Sequence, residues 1–114
     1  MRSRLLSVTL DITGVTCQIT AVIRSFRDGR TAAVHLGRVP KGMARELARR
    51  AQGKLIALDA AGSLEDLRTP PGNRLEKLVG DRAGQWSIRV TGQWRICFHW
   101  KDGDAHGVEL VDYH

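Results

Sequence analysis

The sequence ends on Asp112-Tyr113-His114. On an extended strand successive side chains alternate between faces, so Asp112 and His114 project to one side and Tyr113 to the other. A carboxylate beside an imidazole orients the ring and raises its pKa, which near about 6.5 already suits proton transfer at neutral pH. The bland reading of the same tripeptide is a polar chain end. Arg95 is the next candidate. It interrupts the apolar run Trp94-Arg95-Ile96, and Arg89 stands likewise between Ile88 and Val90. On a sheet with one covered face, such arginines lie on the open face. There they can clamp a phosphate or merely meet solvent. A third group lies in Asn73–Arg82, which is dense in charge. Glu76 there can act as a general base, with Arg74, Lys77 and Arg82 as phosphate contacts. Its alternative is an exposed strand edge carrying surface ion pairs.

Several chemistries are missing from the sequence. No GxxxxGK[ST] occurs, and no GxGxxG follows a strand. His35, His99, His106 and His114 have no metal-type spacing, and Cys17 and Cys97 form neither a disulfide framework nor a zinc ribbon. No metal or cofactor is expected, and the cysteine usage fits a reduced, cytoplasmic setting.

The elements that must position these residues follow from periodicity. Val22–Phe26 reads as a short strand and Thr31–Leu36 as a short helix, followed by a turn through Pro40 and Gly42. Met43, Leu47, Ala51, Leu55 and Leu58 recur at spacings of four and three. That stripe predicts a helix over Met43–Ala61 with Arg45, Arg49 and Arg50 off the apolar face, and Gly53 within it as a weak point. Ser63-Leu64-Glu65-Asp66 fits a helix-start box. From Trp86 the period changes to two. Trp86, Ile88 and Val90 alternate with Ser87 and Arg89. Trp94, Ile96, Phe98 and Trp100 alternate with Arg95, Cys97 and His99, and Val108, Leu110 and Asp112 form a last strand. Short loops at Thr91-Gly92-Gln93 and Lys101–Asp104 join them into an antiparallel meander. Helices first and strands later predict an α+β domain with helices on one face of a small sheet, and the three tryptophans in its core.

The 114 residues suit one domain. No apolar run approaches the roughly 20 residues that span a bilayer. The formal net charge is +6, carried by 14 arginines and 4 lysines. Arginine contacts phosphate bidentately and stacks on flat groups, so this balance favours polyanions, nucleic acid above all. Residues 1–21 show no helical period and read as an N-terminal extension to a domain spanning 22–114.

Read in order, Ile23-Arg24-Ser25-Phe26, Pro70–Glu76, Gly80-Asp81-Arg82, Gly84–Arg89, Gln93–Phe98 and Val108–His114 resemble the HigB family of toxins within the RelE/ParE superfamily. The resemblance covers residues 22 to 114. It implies a compact fold of helices against a curved antiparallel sheet. It also implies a type II toxin that acts as a metal-independent endoribonuclease on messenger RNA at the ribosome and is neutralised by a HigA-type helix-turn-helix antitoxin. Carried over by position, the family's terminal Asp-Tyr-His falls on Asp112, Tyr113 and His114 and its sheet arginine on Arg95. Either Glu76 or His114 is then the acid or base, and Arg74, Lys77, Arg82 and Arg89 contact RNA. Two positions depart from the pattern: Val79 stands where relatives often carry Lys, and Glu76 where some carry His. Relatives tend to begin near Ile23, so the resemblance also implies a start at Val22, as a GTG codon. Two alternatives share the fold: a ParE-like inhibitor of DNA gyrase, and a degenerate toxin acting only through its antitoxin and transcriptional autoregulation.

Overall fold

In the computed structural model, which describes residues 6–10 and 16–112, Asp28 starts the first helix. Its backbone is extended and its Oδ1 accepts from Thr31 N at 2.7 Å, satisfying an amide that the first turn leaves open. Helix α1 (Gly29–His35) ends at Gly37, whose φ of +90° is the left-handed stop that favours glycine. Helix α2 (Arg45–Asp59) buries Ala48, Ala51, Leu55 and Leu58. Met43 and Leu47, also in the expected stripe, pack at the core's margin. The helix is shorter than the predicted Met43–Ala61 by two residues at each end. Ala44 is extended, and Ala60 closes the helix by donating its N–H to Ile56 O and Ala57 O. Gly53 does not interrupt it. The start box at Ser63 opens a 3-10 helix, Leu64–Arg68, where Asp66 Oδ2 accepts from the amides of Gly62 and Ser63.

Four antiparallel strands follow in a meander: β3 (Glu76–Lys77), β4 (Gln85–Arg89), β5 (Trp94–Lys101) and β6 (Asp104–Asp112), in the spatial order β3-β4-β5-β6. Asp102 and Gly103, both at positive φ, make the tight turn between β5 and β6. This turn lengthens β6 well beyond the predicted start at Val108. A β-bulge interrupts the pairing between Cys97 and His99, and Gly107 (φ +60°) sits opposite it. The extra residue lets Ala105 and Val108, three apart, both reach the core.

The predicted strand at Val22–Phe26 is instead a strip along the outer edge of β6 with two isolated parallel bridges, Ile23 to Ala105 and Phe26 to Val108. Hydrogen bonds between backbone groups of residues 22–27 and Ala105 and Val108 hold it there. Upstream, a strand pair that the sequence did not suggest joins β1 (Leu6–Leu10) to β2 (Thr16–Thr20) in antiparallel register.

Both helices pack on one face of the sheet, over Ile88, Ile96, Phe98, Val108 and Leu110. Trp86, Trp94 and Trp100, expected in the core, pack half-buried at its edge, with the rings of Phe98 and Trp100 edge-on at 6.4 Å. The Arg30 guanidinium lies over the Trp94 ring and donates to Leu110 O, while Thr31 Oγ1 accepts from Leu110 N, so α1 is clamped to β6 at one residue. Among the described residues no helix is long and apolar enough to cross a membrane.

The other sheet face corrects the expectation of an open surface. Ser87 and Cys97 are fully buried, and Arg95 is only 9% exposed. The chain between Pro71 and Lys77 returns against β4 and covers that face at its centre.

Candidate active site

The covering segment is held by Asn73, which is itself buried. Its Nδ2 donates to Leu67 O (3.1 Å) and Thr69 O (3.3 Å), and its Oδ1 accepts from Lys54 Nζ of α2. Arg74 follows in the left-handed region (φ 45°), a conformation that costs a non-glycine residue about 1–2 kcal/mol. There its carbonyl meets the guanidinium of Arg95: Nη2 donates to Arg74 O at 2.5 Å.

Arg95 is held from below as well. Its Nε donates to Ser87 Oγ at 2.7 Å on the neighbouring strand, and Nη2 also reaches Ser87 O at 3.5 Å. The carboxylate of Glu76 stands 3.8 Å from Nη2. Among the described residues the hydrogen bonds of the Arg95 guanidinium run through Nε and Nη2, and none through Nη1. A largely desolvated guanidinium with one free edge and fixed supports is a preorganised anion clamp.

The strand register sorts the remaining candidates by face. Arg89 pairs with Arg95, Ser87 with Cys97 and Glu76 with Ser87, so Glu76, Arg89 and Arg95 share one face. Two arginines directly opposite each other repel, and an anion between them removes that repulsion. The side chain of Arg74 is exposed. Lys77 pairs with Trp86 and lies on the helix side, its ammonium 6.0 Å from the Trp86 ring. Val79, where the resemblance implied a lysine, is exposed.

Asp112 pairs with Trp94, which places it on the face opposite Arg95. Gln93 Nε2 donates to both of its carboxylate oxygens at 3.0 Å. Tyr113 and His114 lie outside the described residues. The structure therefore brings Arg95, Glu76, Arg89 and the Arg74 carbonyl together, and sets Lys77 and Asp112 on the other side of the sheet. Arg82 is close by: its Nη1 donates to Gln85 Oε1 and Glu109 Oε1, both at 3.2 Å, above the face that holds Cys97.

Sequence reasoning missed Ser87, Asn73, Gln85, Cys97 and Glu109. A polar Ser87 at the centre of an apolar strand, two residues from Arg89, was the one signal available. Burial pushes the Cys97 thiol up; the cations of Arg82 and Arg95 partly offset this, while Glu109 adds to it. Among the described residues no three His, Cys, Asp or Glu side chains gather as a metal site.

The comparison with known proteins decides the family. Residues 23–114 match the RelE-like toxin of the type II toxin-antitoxin system HigB. The chain belongs to the HigB-like toxin family. It is 33% identical over 93 residues to Endoribonuclease HigB of Proteus vulgaris, a match spanning 82% of this chain and 100% of that protein. It is 53% identical over 57 residues to Toxin HigB-1 of Vibrio cholerae serotype O1, covering 50% of this chain and 60% of that toxin's length. An uncharacterized protein of Haemophilus influenzae is 32% identical over 73 residues, 64% of this chain and 68% of that one. The HigB-like match begins one residue after Val22, where the strip beside β6 starts.

Proposed function

We propose that this chain is an endoribonuclease that cuts messenger RNA on the ribosome and arrests translation in the cytoplasm, under the control of a HigA-type helix-turn-helix antitoxin. The observation that carries the reading is the Arg95 clamp: a guanidinium fixed by Ser87 and the Arg74 carbonyl, with the Glu76 carboxylate 3.8 Å away. A relative named an endoribonuclease, matched over its whole length, and the net charge of +6 support the substrate class.

The chemistry uses the RNA's own 2′-hydroxyl. Glu76 takes the 2′-hydroxyl proton as the oxygen attacks the adjacent phosphorus. Arg95 stabilises the extra negative charge on the phosphate oxygens as five-coordinate phosphorus forms. The P–O bond to the 5′-oxygen then breaks, and that oxygen takes a proton from His114, leaving a 2′,3′-cyclic phosphate and a 5′-hydroxyl. Arg89 and Arg74 hold flanking phosphates, Lys77 and Arg82 add to the positive rim, and Tyr113 stacks on a base. No step needs a metal or a cofactor.

The test is primer extension on messenger RNA after brief induction of wild type and of His114→Ala. Discrete cuts inside translated codons that vanish in the variant are the expected result. Cuts at the wild-type rate in His114→Ala overturn the assignment of the acid. Absence of cuts with the wild type overturns the nuclease reading and directs attention to gyrase-dependent DNA breaks.

A further inference from the structure

Beside the Arg95 clamp, the same region of the molecule carries an open groove of about 320 Å³ lined by Arg27, Asp81, Arg82 and Gln85. Arg82 spans it. One nitrogen, Nη1, donates both to Gln85 Oε1 on β4 and to Glu109 Oε1 on β6, across the width of β5. The side chains of Arg82 and Glu109 are 28% and 21% exposed, so this pair is partly shielded from solvent and holds the guanidinium in one orientation. Its remaining nitrogens take no other partner among the described residues. Arg27, exposed, also lines the groove, with its backbone N–H fixed to Val108 O at 2.9 Å.

Gln85 is 8% exposed. Its Oε1 is occupied by Arg82, and its amide Nε2, which has no partner among the described residues, belongs to a side chain that lines the groove. It therefore offers N–H donors at the groove wall. Asp81, which is exposed and also lines the groove, offers only acceptors. Gln85 also lies two residues from Ser87 on one strand face, roughly 7 Å along the strand from the support of Arg95. Two cations for a phosphate and a donor beside an acceptor are the parts a single nucleotide requires.

We infer that this groove is a nucleotide subsite next to the cleavage centre, in which Arg27 and Arg82 hold the flanking phosphate, Glu109 positions Arg82, and Gln85 and Asp81 read the base. On the Watson–Crick edge a donor with an acceptor complements a ring-nitrogen acceptor beside an amino group, which adenine and cytosine present there, whereas guanine and uracil present a ring N–H. The inference rests on the ribonuclease reading and extends it to the identity of one flanking base.

Mapping of RNA 5′ ends after brief induction of the full chain tests it, with wild type, Gln85→Glu, Arg27→Ala and Glu109→Gln compared. Gln85→Glu is close to isosteric and keeps an acceptor for Arg82, but it replaces the free donor by an acceptor. The expected result is a wild-type preference for adenine or cytosine at one position flanking the cut, moved toward guanine in Gln85→Glu by roughly five- to a hundred-fold. Arg27→Ala is expected to lower cutting about ten- to a hundred-fold without moving the preference. In Glu109→Gln the expected change is a raised KM with a smaller change in kcat, the signature of a misplaced binding cation rather than of a damaged fold. Thermal melts of each variant accompany the maps. Wild-type cuts with an unchanged base profile and rate in all three variants overturn the subsite alone. A uniform loss in Gln85→Glu with the profile unmoved overturns the base-reading role. A wild type that makes no cuts removes the ribonuclease reading and the subsite with it.

Discussion

Arg95 Nε and Ser87 Oγ lie 2.7 Å apart on adjacent strands, both inside a sheet face that alternation alone marks as open. The serine fixes the guanidinium plane, and with the Arg74 carbonyl it determines which edge faces outward. Removing the hydroxyl leaves a buried charged donor unsatisfied. Ser87→Ala is expected to cost about 1–3 kcal/mol of stability, read by urea unfolding. Arg95→Ala is expected to lower RNA cleavage by about 10²–10³, the usual loss of one preorganised donor. Full cleavage by Arg95→Ala would remove the clamp from the mechanism.

The register gives neighbouring residues opposite roles. Glu76 faces Arg95, and Lys77 faces Trp86 on the helix side. Glu76→Gln is expected to reduce the cleavage rate by about 10²–10⁴. Lys77→Gln, which lies across the sheet from the reacting phosphate, is expected to act through weaker RNA binding, with the larger effect on KM. Single-turnover cleavage separates the two, and the reverse ranking would show that the face assignment does not govern the chemistry.

Arg74 contributes through its backbone and its side chain separately. At φ 45° a glycine relieves the strain while keeping the carbonyl that Arg95 needs. Arg74→Gly is therefore expected to leave stability unchanged or raise it by up to about 1 kcal/mol. The same variant is expected to flatten the salt dependence of RNA binding by roughly one phosphate contact. A destabilised variant would mean that the side chain packs on the segment it now leaves.

Asn73 ties three parts of the chain to one side chain, with Leu67 O and Thr69 O as acceptors and Lys54 Nζ as donor. Asn73→Ala leaves these groups unmatched in a buried place. The expected loss is about 2–4 kcal/mol in chemical denaturation, with cleavage lost alongside because the Arg74 carbonyl is no longer held. Asn73→Asp, which keeps the acceptor for Lys54 and loses the donors, is expected to fall between.

Cys97 supplies a pH test. Burial is the largest influence and raises its pKa, so the folded chain favours the neutral thiol more than the unfolded chain does. For a raised pKa the associated stability is full below the unfolded thiol's pKa, about 8.5, and is lost as pH rises through the folded value. Native protein at pH 8 is expected to resist iodoacetamide, with labelling that appears on unfolding. Fast labelling of Cys97 in the native state would show that the site face opens. Cys97→Ser separates this residue from Cys17.

The α+β class, the meander and the helix stripe of Ala51, Leu55 and Leu58 were legible because burial on one face of an element leaves a period in the sequence. Arg95 was legible as a charged residue in an apolar run, and Glu76 as an acid among basic residues. Their meeting was not legible, since it depends on how β3 pairs with β4 and on the return of residues 71–77 over the sheet. Ser87, Asn73, Gln85 and Glu109 left no periodic trace, because each matters through one hydrogen-bonded partner far along the chain. The separation of Asp112 from Arg95 was equally hidden: strand alternation orders residues within one strand, and only the pairing across strands decides which faces coincide. The sequence by itself determined the class of fold, the positive charge and the set of chemical groups. The tertiary structure decided which of those groups share a face, because side-chain pattern specifies burial while register and loop return specify neighbours.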